Sequence, residues 1–495
     1  MPWERIWVWL SHYCSMLFKK KAIWLCLVAF VLSDCAWATR FKTDSVKVKK
    51  GWNVGLLPSL GYDADLGFQG GVIANVYDYG DGTHYPSYKH SFFFEASYST
   101  KHYGTIRFNY DTDSLIRGSH LALDATYLPD AMCDFYGFNG YQSVYKYEWH
   151  HWSRIPERMD TLQYVSRAFY KYKRDFVRFA ADIDKEIVKG IKLNAGLGVL
   201  GYMTSRCDFS RLNSTLLNDS TKYLNPEIEC LYDKYLRWGL LRQAESKGGW
   251  HPYVRVGISY DTRDQRACPT SGIYTDAFLT YTMAFNTERY GNQADEHFNH
   301  LKLNLTFRHY VSIYRNRAVF AYRIGTQNIL AGQSPYYLNT YLNTLYIQRV
   351  LYEGLGGGNS LRGILRNRIL ANGYAYANIE FRFRLWDFDI LRQHFYIGLN
   401  PFFDLGMVTQ PYELDESTVR CMIALANQRD GVHDSVEDYF SFEKNDAYRP
   451  HMSAGIGLKV AMNENFVLSV DWAAAFSKQD SREYSNFYVK MGYLF

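Results

Sequence analysis

The sequence lacks most of the features that mark a large soluble protein. Its 495 residues include only 12 prolines, and charged residues make up 21% of the chain. No segment shows an apolar helical period between capping residues, and no linker rich in proline or serine divides the chain. A soluble chain of this length normally splits into two or more domains. These absences disfavour a multidomain helical protein and leave a soluble β-sandwich array as the alternative to a single large β structure.

Cysteine and histidine are too scattered to predict a metal centre. Three of the eight cysteines precede residue 38, and the other five are Cys133, Cys207, Cys230, Cys268 and Cys421. An odd number at wide spacing is not a disulfide framework, and the chain has no C-x-x-C motif and no histidine cluster. Cys207 and Cys230 share one predicted loop and could pair. We expect no metal ion and no other cofactor.

Only one apolar run approaches the length of a membrane helix, and it lies near the start of the chain. Three lysines at 19–21 precede "AIWLCLVAFVL" (22–32), and "AWA" (36–38) supplies small residues at both cleavage positions. This arrangement predicts a secretory signal peptide over 1–38. If translation begins at Met16 instead of Met1, residues 1–15 are not part of the protein. The four basic and two acidic residues of 1–38 lower the net charge from +5 to +3 on removal. That charge does not favour nucleic acid as a partner.

Aromatic side chains in alternating patterns are abundant. Tyrosine alone accounts for 43 residues, and segments of about ten residues alternate apolar and polar positions, which is the signature of a transmembrane barrel. The pattern predicts an all-β fold, a 16-stranded antiparallel β-barrel of the outer membrane over 52–495, after a short periplasmic segment at 39–51. The predicted strands are 52–61, 66–77, 89–98, 103–111, 118–127, 170–182, 190–203, 250–261, 272–285, 299–311, 316–326, 373–385, 395–407, 450–461, 465–476 and 485–495.

The lengths of the connections support this strand count. Those after odd-numbered strands include all the long ones: 128–169, 204–249, 286–298, 327–372 and 408–449. Connections after even-numbered strands are short, as at 463–465. Bacterial barrels have short periplasmic turns and long external loops. Both termini are therefore expected in the periplasm of a bacterial cell.

Alternation along two neighbouring strands assigns charged side chains to the lumen. In "YAYANIEFRFRL" (374–385) one face is apolar and must meet lipid, so Glu380 and Arg382 point inward. In "FYIGLNPFFDLG" (395–406) the same reasoning makes Asp404 luminal. Two carboxylates are therefore expected inside the barrel on consecutive strands.

The stretch "GGGNSLRGILRNRILANG" (356–373) just before these strands carries three arginines and no acidic residue. A loop as long as 327–372 can fold into the barrel and bring Arg362 to Glu380 and Asp404 in charge-assisted hydrogen bonds. The alternative is that the three arginines coat a solvated external loop. We predict the inward-folded arrangement.

These residues resemble motifs of the BamA/TamA-type outer-membrane assembly barrels, also called the bacterial surface antigen family. The family's V/L-R-G-F/Y loop motif, with Ile364 in place of the aromatic residue, matches Leu361, Arg362 and Gly363. Its N-x-E-x-R and F-x-D-x-G strand motifs match Asn378, Glu380, Arg382, Phe402, Asp404 and Gly406. Its upstream Y-D-T-R-D … P-x-x-G-x-Y motif matches residues that include Asp261, Arg263, Asp264, Pro269 and Gly272. The chain ends with a pattern similar to the signal that assembly machinery recognises in barrels, formed by Phe487, Val489, Met491, Tyr493 and Phe495.

The resemblance implies a role in inserting or translocating outer-membrane or surface proteins or lipids, with Arg362 held inside the barrel by the neighbouring acidic residues. It implies outer-membrane lipid and the machinery for the chain's own insertion as partners. Family members carry periplasmic POTRA modules, for which 39–51 is too short. A POTRA-less member is therefore expected to use a separate periplasmic or lipoprotein partner.

In the family the first and last strands pair poorly. Pro58 cannot donate to a ladder and makes the first strand a candidate seam, although a proline at a solvated strand end is the simpler alternative. A different function for the same fold is a passive conduit or a structural surface-exposed barrel with no insertase activity. We expect no enzyme, since Ser360 lacks the G-x-S-x-G context of a nucleophile.

Overall fold

A computed structural model describes the chain from residue 49 onward, with gaps. The described residues are 49–83, 88–150, 164–214, 223–266, 268–283, 298–314, 317–342, 354–390, 393–462, 466–481 and 486–495. The predicted signal peptide at 1–38 and nearly all of the segment 39–51 lie outside them.

In this part of the chain, sixteen antiparallel strands close into one barrel, and β1 pairs with β16. The strands are β1 Trp52–Asp63, β2 Gly67–Asp78, β3 His90–Ser99, β4 Gly104–Thr112, β5 Ser119–Asp134, β6 Lys171–Val188, β7 Ile191–Ser205, β8 Gly248–Asp261, β9 Gly272–Thr282, β10 His300–Tyr314, β11 Ala318–Gly332, β12 Gly373–Ile390, β13 Gln393–Gln410, β14 His451–Met462, β15 Phe466–Ala475 and β16 Asn486–Met491. The predicted fold class and strand count are confirmed. β5 and β6 extend beyond their predicted ends, and β16 is shorter than predicted.

The barrel wall has an apolar outer face and a polar inner face. In β12, Phe381, Phe383 and Leu385 are exposed to the surroundings of the barrel, whereas Glu380 and Arg382 are buried inside it. This follows from the two-residue period of a strand, which sends alternate side chains to opposite faces. The lumen is therefore lined by charged and hydrogen-bonding groups.

The described residues of four long connections pack together over one end of the barrel: 135–150 with 164–170, 206–214 with 223–247, 333–342, and 411–450. Their shared core is aromatic and includes Phe135, Tyr136, Phe138, Trp149, Tyr170, Tyr232, Tyr235, Trp238, Tyr336 and Phe440. We call this layer the cap. Its α-helices are Phe209–Ser214, Leu231–Trp238, Glu416–Asp430 and Val436–Tyr439, and its 3₁₀ turns are Gly140–Gln142, Tyr147–Trp149, Gln243–Glu245, Tyr336–Thr340 and Asp446–Tyr448. No helix in the described residues is long and apolar enough to span a bilayer.

The helix Glu416–Asp430 corrects the expectation that the chain has no capped helix. Asp415 caps its start by accepting a hydrogen bond from the Thr418 amide, and Gly431 ends it in the left-handed conformation. Both are standard capping residues. The apolar stripe is narrow, because only Val419, Ile423 and Ala426 are buried, and the helical period is therefore weak in the sequence.

The closure between β1 and β16 is much shorter than the other strand pairings. β1 pairs with β2 over its full length of 12 residues, whereas β1 and β16 share only the register pairs Tyr62–Val489 and Asp63–Tyr488. We call this closure the seam. β16 has 6 residues, so most of β1 has no ladder partner on its seam side among the described residues.

The last residues do not continue β16, which corrects the predicted strand to residue 495. Phe487 and Met491 are exposed on the outer face. Gly492 then adopts a φ of +88°, a conformation that glycine tolerates best. Because the chain turns there, Tyr493 and Phe495 lie inside the barrel, where the Arg382 guanidinium stands 4.1 and 5.2 Å from their ring centroids.

The suggested pairing of Cys207 with Cys230 is not present. Both residues are buried thiols in one apolar cluster. Burial raises the pKa of Cys230 to about 12, so this thiol stays protonated. A protonated thiol is a poor nucleophile for disulfide exchange.

Candidate functional site

The site is built around residues 354–372, which fold back into the barrel. Two isolated bridges, Leu355–Ile369 and Gly357–Leu361, give this segment its compact shape. Gly356 has a φ of +114°, and a Cβ there would lie 1.9 Å from the Leu365 carbonyl oxygen. Only glycine fits such a position. We call residues 354–372 the inner loop.

Arg362, at the centre of the inner loop, is fully buried against carboxylates of the barrel wall. Its Nε and Nη2 donate to the two oxygens of Asp404 at 2.9 and 3.0 Å, and its Nη1 donates to Glu380 Oε1 at 2.8 Å. Asp471 Oδ2 is 3.7 Å from Nη1. A fork of donors on one carboxylate with a second carboxylate beside it uses the planar geometry that only arginine offers.

Two further cations balance the carboxylates around Arg362. Arg382 forms an ion pair of 2.9 Å with Glu380 Oε2, and Lys459 Nζ lies 2.6 Å from Asp471 Oδ1. Three cations therefore face three anions in a site that is almost completely buried. Such a cluster is stable only while every member keeps its partner.

The strand motifs shape the space that receives the loop. Phe402, an aromatic residue on the luminal face of β13, lies under Arg362, with the guanidinium carbon 3.4 Å from its ring centroid. A Cβ on Gly406 would lie 2.5 Å from Leu361 Cδ1, so glycine at this position makes room for the loop's leucine. Asn378 donates to the Ser360 carbonyl at 2.9 Å and to Asp404 at 2.8 Å.

The other two loop arginines are also buried, so none of the three coats a solvated surface. Arg366 Nη2 is 2.8 Å from Asp130 Oδ2 on β5. Arg368 donates to three carbonyls, those of Gln479, Gly140 and Ser143. These contacts join the inner loop to the cap and to the connection that precedes β16.

The inner loop also touches both strands of the seam. The Gly363 amide donates to Tyr488 Oη at 3.0 Å, and Asn486 Nδ2 donates to the Gly363 carbonyl at 3.2 Å. A Cβ on Gly358 would lie 2.7 Å from an Asp63 oxygen and 2.6 Å from Tyr488. The loop therefore lies directly behind the two register pairs that close the barrel.

The upstream motif forms a turn and does not join the arginine cluster. Arg263 makes a two-pronged ion pair with Asp261, at 2.9 and 2.8 Å. Asp264 accepts hydrogen bonds from Thr270 and Ser271 across the connection between β8 and β9. Burial would raise the pKa of Asp264, but these hydrogen bonds lower it below its usual value.

Two other residues of this motif fix the same turn. Pro269 is buried, and Gly272 has a φ of +103°, with a Cβ position 2.3 Å from the Thr262 carbonyl oxygen. A side chain at Gly272 would therefore meet both strain and backbone. The motif residues here build the rim of the barrel.

Sequence reasoning missed several residues that complete the cluster. Asp471, Ser453 and Tyr488 contact the inner loop from β15, β14 and β16. Alternation places polar side chains of "FVLSVDW" (466–472) and "HMSAGIGLK" (451–459) on the luminal face, so the signal was available. Across the described residues, no group of three His, Cys, Asp or Glu side chains is arranged to hold a metal ion.

A cavity of about 1450 Å³ lies at the end of the barrel opposite the cap. It is lined by residues of both charge signs together with the last residues of the chain, among them Arg107, Asp184, Arg263, Arg308, Lys490 and Phe495. The inner loop forms part of its inner boundary through Asn359. The barrel thus has a filled end and an open, charged end.

The Omp85 superfamily domain model matches residues 159–495. The chain belongs to the Omp85 superfamily. It is therefore an outer-membrane barrel of this superfamily and not an enzyme. The family identified from the sequence motifs is confirmed.

Solved structures of two Omp85-type barrels are similar to the chain. BamA from Haemophilus ducreyi lacking POTRA domains 1–3 has 14% identity over 90% of this chain and 70% of that chain, with a TM-score of 0.48. CdiB from Escherichia coli has 10% identity over 91% of this chain and 68% of that chain, also with a TM-score of 0.48. No curated protein matches.

Proposed function

We propose that this Omp85 barrel assists the insertion or translocation of outer-membrane or surface proteins or lipids by opening its seam. The observation that carries the proposal is the seam itself, in which two register pairs close a barrel whose neighbouring pairing spans the whole of β1. Each backbone hydrogen bond contributes about 0.5–1.5 kcal/mol net. The seam can therefore open at a local cost of a few kcal/mol while the other ladders stay intact.

The primary structure of β1 keeps the seam short. Pro58 pairs with Val72 of β2, and a proline fits a paired strand where its nitrogen points away from that partner. Continuing the seam register by four residues from the Tyr62–Val489 pair places Pro58 opposite Tyr493. A longer seam would need a backbone N–H donor at residue 58, and proline has none.

The inner loop supports a controlled seam rather than a permanently open one. Its Gly363 and Gly358 contact Tyr488 of β16 and Asp63 of β1, while Arg362 anchors the same loop to β12 and β13. Opening the seam separates Asp63 from Tyr488, so the loop loses its contact with one of the two strands, and releasing Arg362 removes the loop's anchor to β12 and β13. Seam and loop therefore respond to each other.

The orientation and the partners belong to the same proposal. The open, charged end and both termini face the periplasm, and the cap faces the cell exterior. Outer-membrane lipid surrounds the exposed apolar face, and assembly machinery inserts the chain through its C-terminal pattern. A separate periplasmic or lipoprotein partner delivers clients to the open end.

A passive conduit is the second candidate, because the cavity at the open end is large and charged. The inner loop and the aromatic cap lie across the path from that cavity to the other end. Conductance should therefore be small or gated. The same barrel as a purely structural surface protein would not need an unpaired edge on β1.

The test is a disulfide lock across the seam. Tyr62→Cys with Val489→Cys, in a Cys421→Ser background, joins β1 to β16, and Val54→Cys with Val76→Cys joins β1 to β2 as the matched control. Each replaces the native protein in cells, after which outer-membrane proteins and outer-leaflet lipids are quantified before and after reduction.

The proposal expects a loss of other barrels or surface proteins, or of outer-leaflet lipid, with the seam lock alone, and recovery on reduction. Loss of barrels with unchanged lipid would identify proteins as the cargo. An unchanged membrane under a fully formed seam lock would refute seam opening, and single-channel recording would then test the conduit.

A further inference from the structure

The outer face of strands β2 to β6 contains a groove close to the end of the barrel that carries the cap. Its volume is about 460 Å³. The outward-facing side chains that line it include Phe94, Ala96, Ile106, Phe108, Ala125 and Tyr127. Ile106 lies two positions after the first residue of β4, at the cap end of that strand. The groove therefore opens to the surroundings of the barrel and not to its lumen. We call it the outer groove.

The strand register explains why the wall is hollow at this place. Ala96 pairs with Ile106 across β3 and β4, and Ala125 pairs with Phe108 across β4 and β5. Each alanine therefore lies beside a larger side chain on the same face. The rings of Phe94 and Phe108 stand beside each other, with centroids 5.0 Å apart. Rings that stand next to single methyl groups leave a channel whose apolar walls need an apolar occupant.

Two arginines from separate connections lie at the cap end of the outer groove. Both act on His102, in the turn between β3 and β4. Burial lowers the pKa of His102 below its usual value, and the charges of Arg167 and Arg211 lower it further, against an opposing effect of Asp130. Arg211 also interacts electrostatically with Tyr127 in the wall of the groove. Positive charge is therefore concentrated where the groove meets the cap.

Tyr98 connects the outer groove to these cations. It lies two residues beyond Ala96 in β3, so the period of the strand puts both side chains on the outer face. The exposed ring of Tyr98 ends in a hydroxyl 3.4 Å from His102 Nδ1. Tyrosine commonly takes this position in membrane proteins, with its ring in the apolar layer and its hydroxyl among the headgroups. A molecule in the groove can thus extend along Tyr98 to the positive end.

The charge of Arg211 is available to a ligand. The side chain is exposed, and within the part of the chain that the structure describes its guanidinium makes no ion pair. The acidic residues of this region have other contacts: Asp208 accepts a hydrogen bond from the Arg211 amide, and Asp175 forms an ion pair of 3.3 Å with Lys173. A guanidinium presents a planar fork of donors that suits the oxygens of a phosphate.

We propose that the outer groove and the two arginines form a binding site for an anionic phospholipid. One acyl chain lies in the groove over Ala96 and Ala125, and the headgroup phosphate contacts Arg211 and Arg167. The groove accepts any acyl chain, whereas the cations select a negatively charged headgroup. The site goes beyond the proposed function, because neither the seam nor the inner loop takes part in it. Only its assignment to the outer leaflet rests on the orientation proposed above.

Native mass spectrometry of the detergent-solubilised full chain measures this binding. Dioleoyl-phosphatidylglycerol should bind about tenfold more tightly than dioleoyl-phosphatidylcholine, the effect expected from one charge-assisted hydrogen bond. Arg211→Gln should remove this preference. The matched control is Arg420→Gln, which changes an exposed arginine of the helix Glu416–Asp430 and should keep the preference. Equal affinity of the wild type for the two lipids would overturn the proposal.

A second pair of variants tests the groove. Ala125→Leu fills it and should weaken the binding of phosphatidylglycerol by about tenfold, because the chain loses its apolar contacts. Ala454→Leu adds the same side chain to the outer face of β14 and should have no effect. Unchanged affinity in either Arg211→Gln or Ala125→Leu, once heat-modifiability shows the variant to be folded, would refute the site.

Two measurements on the wild type need no variant. Glycerol phosphate should not displace the lipid, and displacement at a comparable concentration would show a phosphate site that does not use the groove. Phosphatidylglycerol with a photoreactive acyl chain should crosslink mainly to β3, β4 and β5, and crosslinks spread evenly around the barrel would also contradict the proposal. These results do not depend on the seam lock, so lipid binding without an effect of the lock would reject only the proposed function.

Discussion

Replacing Arg362 with glutamine should release the inner loop without unfolding the barrel. The substitution keeps much of the side-chain volume but removes the only cation among the described residues that bonds directly to Asp404. Glu380 retains Arg382, and Asp471 retains Lys459. The expected loss of docking free energy therefore comes from one newly unpaired buried carboxylate, that of Asp404, rather than from three.

The size of the shift towards the released loop follows from this single unpaired carboxylate. Leaving a single buried charge without its partner costs about 3–5 kcal/mol, and each 1.4 kcal/mol is about a tenfold change in an equilibrium constant. The released fraction of the inner loop should therefore rise by roughly 10² to 4 × 10³-fold. Trypsin is a direct assay, because Arg366 and Arg368 are cleavable in the loop and fully or nearly buried when it is docked.

The controls separate the buried cluster from ion pairs in general. Arg317→Gln removes a pair with Asp387 in which the arginine is 58% exposed, and such pairs contribute about 0–1 kcal/mol. Arg362→Glu should be worse than Arg362→Gln, and adding Glu380→Arg should restore part of the loss. Trypsin cleavage and heat-modifiability equal to wild type in Arg362→Gln would refute the reasoning.

Three further results are expected. Gly406→Ala should speed tryptic cleavage of the inner loop through its clash with the loop's leucine, costing about 1–3 kcal/mol, while Gly55→Ala, whose nearest contact is 4.0 Å away, should not change cleavage. Burial would raise the pKa of Asp434, but hydrogen bonds from Lys234 and Arg237 lower it below its usual value. The stability that ionised Asp434 contributes to the cap is therefore complete above the usual pKa near 4 and is lost as the pH falls below it. Amide exchange of cap residues should rise in acid, and Asp434→Asn should remove this pH dependence. In planar bilayers the wild-type barrel should rarely conduct ions, and conducting events should be more frequent for Arg362→Gln.

The sequence was sufficient to predict features that depend on a two-residue period. Glu380 and Asp404 were assigned to the lumen because their strand neighbours are apolar at alternate positions, and both are buried inside the barrel. The pairing with Arg362 could be suggested because the three residues are close in the chain. The same rule applied to β15 would have added Asp471.

Other features depend on non-local contacts that a pattern cannot supply. Tyr493 and Phe495 continue the alternation of β16 in sequence, yet Gly492 turns them into the lumen, where cations from distant strands receive their rings. The cap was read only as long loops, because its aromatic core joins four connections that have no shared period. The helix Glu416–Asp430 is indicated more clearly by its capping residues than by the period of its apolar residues.

The contacts of the inner loop imply an order in which the chain folds. Arg362 meets Glu380 and Asp404, which lie 18 and 42 residues away, whereas Arg366 meets Asp130 at a separation of 236 residues. Closing the longer separation costs more chain entropy and is slower. Arg362 can therefore dock on β12 and β13 before the sheet closes, and Arg366 can engage only after the first third of the chain has joined it. A nascent barrel would hold its central arginine early and complete its cap last.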